Sequence, residues 1–162
     1  MKANKTIVAL LLCLGLVLCV SLLLPLAEAK AVKATFVSTL AGAPGASQPI
    51  DFEAGQTLHR RDRTTILNIV ETDNCLFNGY MTRIVNFNRN NNKEMTQRWG
   101  TFEIFLEGVL LWKGTWTGRA VEGTRTENYV GHGVGALDGM QIKFTLESPG
   151  NLVTGLILNT HG

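Results

Sequence analysis

Cysteine is scarce in this sequence. Of the three cysteines, Cys13 and Cys19 lie within a strongly apolar N-terminal run. Cys75 is the only one that follows this run, so no disulfide can form within the rest of the chain. This excludes the small scaffolds that disulfides hold together, and the domain must rely on its core. We expect Cys75 to be buried and inert, with a reactive thiol or a bridge between two copies as the alternatives.

An excess of charge of either sign is also missing. The chain has 15 lysines and arginines against 13 acidic residues, a formal net charge of +2 at pH 7. This balance gives no electrostatic reason to bind nucleic acid, and we predict no nucleic-acid partner. The one basic cluster, His59 to Arg63, is interrupted by Asp62. We interpret it as a solvated loop, with contact to an anionic surface as the alternative.

Recognisable catalytic and metal-binding patterns are missing too. No serine stands in a G-x-S-x-G sequence, so an esterase would lack its nucleophile elbow. The three histidines, His59, His132 and His161, are not spaced from another histidine, cysteine or acid in the way that metal ligands are. We therefore predict no metal and no cofactor, and we assign no catalytic residue.

The N-terminus reads as a targeting segment. Two lysines precede an apolar run from Ile7 to Leu24, which is followed by Pro25 and the small residues of "AEA" at 27–29. This order is typical of a secretory signal, and we predict cleavage after residues 1–29. The run also approaches the roughly 20 apolar residues of a spanning helix, so an uncleaved membrane anchor is the alternative. In both cases residues 30–162 form one exported domain, secreted or in the periplasm or cell envelope, that touches a membrane only through an uncleaved anchor.

Helical patterns are lacking in the exported part, and strands with turns replace them. Around Phe144, apolar Ile142, Phe144 and Leu146 alternate with polar residues, which is the period of a β-strand. The strand candidates are 32–40, 64–71, 77–87, 101–108, 110–119, 124–131, 141–147 and 152–159. About eight short strands at hairpin spacing predict an all-β, antiparallel closed barrel rather than a sandwich, because closure leaves no exposed edges.

The connections agree with this interpretation. Glu107 and Gly108 form a tight hairpin turn between two candidates, and residues 41–49 form a flexible connection after the first strand. Whether residues 41–63 form a lid, an arm to a neighbouring copy or a plain loop stays open.

Glycine is the residue type that the sequence uses abundantly, above all in "YVGHGVGALDG". Gly131, Gly133 and Ala136 match a loose dinucleotide-binding pattern, but no helix follows them to hold a phosphate. On a strand, Tyr129, Gly131 and Gly133 would instead share one face. The positions without side chains then lie on the same face as a large ring.

The segment "WKGTWTG" repeats this arrangement with Trp112, Gly114, Trp116 and Gly118. Glycine inside a small barrel makes room for a neighbouring ring. The rings are then either packed core or the walls of a cavity that binds a small apolar ligand.

In the second case Trp112, Trp116 and Tyr129 supply the walls, and Arg98 or His132 supplies a polar contact. Arg98 precedes Trp99, and a guanidinium beside an aromatic ring can bind a carboxylate; a stacked surface pair is the alternative.

The segments "GTFEIFLEG", "WKGTWTG" and "YVGHGVGALDGMQIKFTL" carry a family resemblance. From Thr64 to Asn159 the chain resembles the small bacterial β-barrel proteins related to allene oxide cyclase, including uncharacterised proteins of the DUF3224 type. The resemblance implies a calycin-like, eight-stranded barrel with a central cavity, often within a homo-oligomer. Allene oxide cyclases hold a reactive lipid in a tight apolar pocket with a few polar groups. Those polar positions have no one-to-one match here, so no catalytic set is carried over.

Three functional hypotheses follow. The first is an exported barrel that binds a small apolar ligand in its interior. The second is a cyclase-like or isomerase-like enzyme acting on an oxidised lipid, which needs a polar residue with a shifted pKa inside the barrel. The third is a non-enzymatic, oligomeric envelope protein that recognises a partner through an exposed apolar patch.

Overall fold

The computed structural model describes residues 33–43, 47–90 and 95–159, which form β-strands and one short 3-10 turn. The strands are β1 (Lys33–Ala43), β2 (Ile50–Ala54), β3 (Thr57–Val70), β4 (Tyr80–Asn90), β5 (Met95–Leu106), β6 (Val109–Val121), β7 (Thr124–Gly133), β8 (Met140–Ser148) and β9 (Leu152–Asn159). The predicted signal or anchor segment, residues 1–29, and His161 lie outside the described residues.

The nine strands form one antiparallel sheet. From β2 to β9 each strand pairs with the next along the chain, and β1 pairs with β9 on one side and with β3 on the other. Hydrogen bonding therefore closes a ring through eight strands, and β2 is a ninth strand attached to β3. The predicted all-β antiparallel fold is confirmed. No helix formed by the described residues is long and apolar enough to cross a membrane.

Two-residue turns set the register of the hairpins. Glu107 and Gly108 have φ of 51° and 82°, and Glu122 and Gly123 have φ of 49° and 82°. Positive φ at both central residues is the geometry of the type I′ turn, whose twist suits antiparallel strands. The predicted hairpin at Glu107 is confirmed, and Glu122–Gly123 joins β6 to β7 by the same geometry.

Successive residues alternate between the inside of the ring and its outer surface. On β7, Glu127, Tyr129 and Gly131 are buried, whereas Asn128 and Val130 between them are exposed. Buried apolar side chains from all eight ring strands form a single core cluster. The alternation inferred from the sequence thus divides core from surface, as expected for strands with one buried face.

Glycines inside the ring leave room for aromatic rings of neighbouring strands. A Cβ atom on Gly114 or on Gly131 would lie 2.8 Å from the ring of Phe102. A Cβ atom on Gly155 would collide with the ring of Phe36. The predicted packing of rings over bare positions is confirmed, and in this structure the rings that occupy the space belong to the chain itself.

One end of the ring is closed by residues from two connections. Phe77, between β3 and β4, is fully buried, and its ring stacks on Phe36 with a centroid distance of 4.2 Å. Leu137, from the 3-10 turn between β7 and β8, is also buried. The Trp112 indole N–H donates to the Leu76 carbonyl at 2.7 Å, which ties this connection to β6. We call this the closed end.

The interpretation of His59 to Arg63 as a solvated loop is wrong. These residues belong to β3, which pairs with β2 on one side and β4 on the other. Asp62, at φ 56°, accompanies a bulge in the β3–β4 register. The charges concealed the strand, because its polar residues are stabilised by stacking: the Arg61 guanidinium lies 5.0 Å from the Trp99 ring and 5.6 Å from the Phe52 ring.

The expectation that Cys75 is buried is also wrong, since the thiol-bearing residue is exposed. Cys75 lies in the connection between β3 and β4, which covers the closed end. In that connection the side chain of Phe77 is the one that is fully buried. The larger apolar side chain occupies the interior and leaves the cysteine outside.

Substitution of Gly114 by alanine tests the packing of the ring. The new Cβ would meet the Val130 carbonyl and the Phe102 ring well inside van der Waals contact. We expect the free energy of unfolding to fall by about 1–3 kcal/mol, as overpacking does elsewhere, measured by urea denaturation. The control is Gly42→Ala on β1, where a Cβ would have no neighbour within 4 Å. Equal losses in both variants would contradict the account.

Candidate ligand-binding site

The register of the strands brings five polar side chains together inside the ring. They are Arg83 on β4, Arg98 on β5, and Arg125, Glu127 and Tyr129 on β7. We call them the arginine–glutamate cluster. Arg98 and Arg125 lie near the first residues of their strands, at the end of the ring opposite to the closed end. We call this the arginine end.

Gly118 allows the cluster to form across β6. It pairs with Arg98 on one side and with Glu127 on the other. A Cβ atom at Gly118 would lie 2.7 Å from the Glu127 Cγ. Because that side chain is absent, the Arg98 guanidinium reaches the carboxylate on the strand beyond.

One oxygen of Glu127 is fully engaged. Its Oε2 accepts a hydrogen bond from Arg83 Nη1 at 2.6 Å and another from the Tyr129 hydroxyl at 2.7 Å. Arg83 Nε donates to Thr65 Oγ1 at 2.9 Å, so this arginine has partners on both sides. Arg83, Glu127 and Tyr129 are all buried and form the inner half of the cluster.

The other oxygen of Glu127 is poorly satisfied. Its Oε1 lies 3.2 Å from Arg98 Nη1 and 3.4 Å from Arg125 Nε, which are ion-pair distances. Neither contact has the direction of a hydrogen bond, and Oε1, Arg98 Nε and Arg125 Nε are buried without a hydrogen-bond partner. Arg98 and Arg125 retain 17% and 22% side-chain exposure, so this outer half of the cluster opens toward solvent.

Charges within the cluster decide its protonation states. Burial would raise the pKa of the Glu127 carboxyl, but Arg83, Arg98 and Arg125 outweigh burial and bring the pKa below its ordinary value of 4.5. Burial raises the pKa of the Tyr129 phenol; Arg83 opposes this rise and Glu127 adds to it. Near neutral pH the cluster therefore holds a carboxylate and a neutral phenol.

Arg98 is the least compensated cation of the cluster. Burial lowers the pKa of its guanidinium, the attraction of Glu127 raises it, and repulsion from Arg83 and Arg125 lowers it again. The net direction is downward. One carboxylate thus has to serve three guanidinium groups.

The cluster lies against an aromatic floor. The Cζ atoms of Arg83 and Arg98 are 5.3 and 5.9 Å from the centroid of the Trp116 ring. Trp116 in turn stacks on Tyr129 at 5.6 Å. The arginine end therefore combines cationic groups with an apolar surface, the combination that binds organic anions.

The residues predicted from the sequence separate into three places. Trp116, Tyr129 and Arg98 meet at the arginine end, whereas Trp112 lies at the closed end. His132 is exposed on the outer face of β7 and does not join them.

The alternative of a stacked Arg98–Trp99 pair is wrong. The two side chains are successive on β5 and lie on opposite faces of the sheet. Trp99 pairs instead with Arg61.

Sequence reasoning missed Arg83, Arg125 and Glu127. Glu127 and Arg125 continue the same parity as Tyr129 and Gly131, so extending that face toward the start of β7 would have found them. Arg83 alternates with buried Met81 and Val85, so its position in the strand indicates the inner face; its charge argued against burial. Their mutual contact was not visible, because it joins residues on different strands.

The geometry favours binding over acid–base chemistry. A general base works best when its pKa lies near the operating pH, but the pKa of Glu127 is displaced downward. Guanidinium N–H groups, by contrast, match the oxygens of carboxylates and phosphates. Within the described ranges, no group of three or more histidines, cysteines or acids could hold a metal ion.

The chain matches no protein-family model, no curated protein and no solved structure. The resemblance to proteins related to allene oxide cyclase therefore stays a prediction, and function has to be argued from the cluster itself.

The Glu127→Gln variant tests the cluster as a structural unit. It removes the carboxylate and leaves three guanidinium groups facing one another. Breaking a buried ion pair costs about 3–5 kcal/mol, and we expect a loss of that size in the free energy of unfolding. Glu103→Gln, on an exposed position of β5, is the control and should change stability by less than about 0.5 kcal/mol. A small loss for both would refute a structural role for Glu127.

Acid should weaken the protein through the same carboxylate. The folded-state pKa of Glu127 lies below the ordinary 4.5. Its contribution is therefore complete above the unfolded-state pKa and is lost as pH falls through the folded value. We expect the urea midpoint of the wild type to fall with pH below 4.5 more steeply than that of Glu127→Gln. Parallel curves for the two proteins would rule out this linkage.

Proposed function

We propose that the protein is an exported, eight-stranded β-barrel, calycin-like and related to the allene oxide cyclase group, that binds a small molecule with an apolar body at its arginine end. The observation that carries the proposal is the outer half of the cluster. There, Arg98 and Arg125 are partly exposed and each has an Nε–H without a hydrogen-bond partner, and the Arg98 guanidinium lies above the Trp116 ring.

The ligand belongs at the arginine end rather than in the middle of the barrel. The glycine positions in the middle are filled by rings such as Phe102 and Phe36. Phe77 and Leu137 occupy the closed end. A molecule that enters must therefore approach past Arg98 and Arg125.

A concavity on the outer face is a weaker candidate. It has a volume of about 630 Å³, is open to solvent and runs across β5, β6 and β7. Its side chains, which include Gln97, Thr117 and Asn128, are exposed and well placed for water. Arg98 and Gly118 also border this concavity, but the Nε of Arg98 that lacks a hydrogen-bond partner is buried and belongs to the cluster inside the ring.

A cyclase-like or isomerase-like enzyme acting on an oxidised lipid is the second candidate. The observation in its favour is the pair of Glu127 and Tyr129 inside the ring, both with displaced pKa values. The pKa of Glu127 is lowered and the pKa of Tyr129 is raised, so both lie further from 7 than their ordinary values. Neither group is therefore suited to exchange a proton near pH 7. Ligand binding needs no group that exchanges a proton near pH 7, so it agrees better with this geometry than catalysis does.

The three tryptophans of the chain provide the test. Each indole N–H gives one resonance in a ¹⁵N-correlated NMR spectrum, and Trp112→Phe and Trp116→Phe assign two of them. We expect 2-naphthoate or 2-naphthalenemethanol to shift the Trp116 resonance, because this ring lies under the arginine end, and to leave that of Trp112 unchanged. Equal shifts of both resonances, or none with either probe, would refute the proposed site.

A further inference from the structure

We infer that the molecule bound at the arginine end is a small organic acid, whose carboxylate or phosphate group is held by Arg98 and Arg125. This inference rests on the proposed function, since it presupposes a ligand at that end. It adds the chemical class of the ligand and the residues that select it.

The charges of the cluster do not balance. Three guanidinium groups surround the single carboxylate of Glu127. Among the described residues, the carboxylate that forms an ion pair with Arg98 is Glu127, at 3.2 Å, and the same carboxylate also serves Arg83 and Arg125. An anion between Arg98 and Arg125 would supply the missing negative charge, and its attraction to the two partly buried guanidinium groups would be stronger than in bulk water.

One acid on β2, the strand attached to β3, is already engaged. Asp51 on β2 accepts a hydrogen bond from Arg60 Nε at 2.7 Å, with a second contact from the same guanidinium. This bidentate pair uses both carboxylate oxygens. Asp51 therefore pairs with Arg60 rather than with an arginine of the cluster.

The arginines differ in how many of their donors are free. Arg83 is committed to Thr65, Glu127 and Tyr129 and is buried. Arg98 and Arg125 each have a buried Nε without a hydrogen-bond partner and a side chain that reaches solvent. Buried donors without partners are costly, so a ligand oxygen that accepts from them removes a penalty the empty site bears.

Aromatic surfaces favour an organic body over an inorganic ion. Phe87 pairs in register with Arg98, so the two side chains share the inner face of the sheet. The Phe87 ring is half-buried, and the Arg60 guanidinium lies 5.0 Å from its centre. With Trp116 beneath the Arg98 guanidinium, the arginine end offers apolar contact beside the anion-binding groups.

Probes with one shared body and different head groups test the inference. We would measure dissociation constants for 2-naphthoate, 2-naphthyl phosphate and the neutral 2-naphthalenemethanol by NMR titration, with inorganic phosphate as an arm that has no apolar body. Hydrogen bonds to charged groups predict that the two anionic naphthyl probes bind about 10- to 100-fold more tightly than the alcohol.

Matched arginine variants locate the effect. Arg98→Gln and Arg125→Gln should each reduce the preference for the acid over the alcohol about tenfold, and Arg98→Lys should retain part of it because the charge remains while the forked donors are lost. Arg119→Gln, on the exposed face of β6, is the control and should change nothing. If Arg98→Gln does not fold, Arg98→Lys and Arg125→Gln still decide the matter.

The outcomes separate the two levels of the argument. Absence of binding by all naphthyl probes overturns the proposed function and the inference with it. Binding of the alcohol as tight as that of the acid overturns the inference alone. Inorganic phosphate that binds as tightly as naphthyl phosphate overturns the requirement for an organic body, and an unchanged preference in both arginine variants overturns the assignment of the residues.

Discussion

The pairing of β1 with β3 is the interaction on which the rest of the structure depends. It joins strands that begin and end the order of the ring strands and so gives the sheet an inside of limited volume. The inward-facing side chains of each strand then have to fit those of the other strands in size. Gly114 and Gly131 stand where the Phe102 ring needs room, and each would clash with it if it carried a Cβ. Close packing of this kind leaves little space for voids.

The same closure explains why a charged cluster is tolerated inside. Polar groups facing the interior lose water, and a buried ion is stable only when partners replace that water. Arg83, Glu127 and Tyr129 replace it for one another through short hydrogen bonds. Arg98 and Arg125 do so incompletely, and they lie where the ring opens. An anionic ligand could supply the hydrogen-bond acceptors and the negative charge that these two arginines lack.

Much of the fold follows from local patterns, and the exceptions have physical causes. Alternation around Phe144 predicts β8, and Glu107–Gly108 predicts the hairpin of β5 and β6. Both predictions depend on neighbouring residues only. The strand through His59 and Arg61 was missed because its charged residues are stabilised by distant rings such as Trp99. Cys75 was expected inside because burial was inferred from residue type, whereas Phe77 fills that place.

The candidate site could be predicted only in part. Parity along β6 and β7 placed Trp116 and Tyr129 on one face, and Arg98 was chosen for its charge beside an aromatic residue. The true aromatic neighbour of Arg98 is Trp116 rather than Trp99, because successive residues of a strand lie on opposite faces.

The sequence by itself determined most of the strands, the hairpin turn at Glu107 and which residues of a strand share a face, since these depend on backbone geometry over a few residues. Only the tertiary structure decided that Arg83 would meet Glu127, which is 44 residues away. The approach of Arg98 to Glu127 likewise requires Gly118 of β6 to lie between them. The contact of Arg83 with Glu127 requires β4 to face β7 across the closed ring. Contacts of this range depend on the arrangement of all the strands at once, and no short segment specifies them.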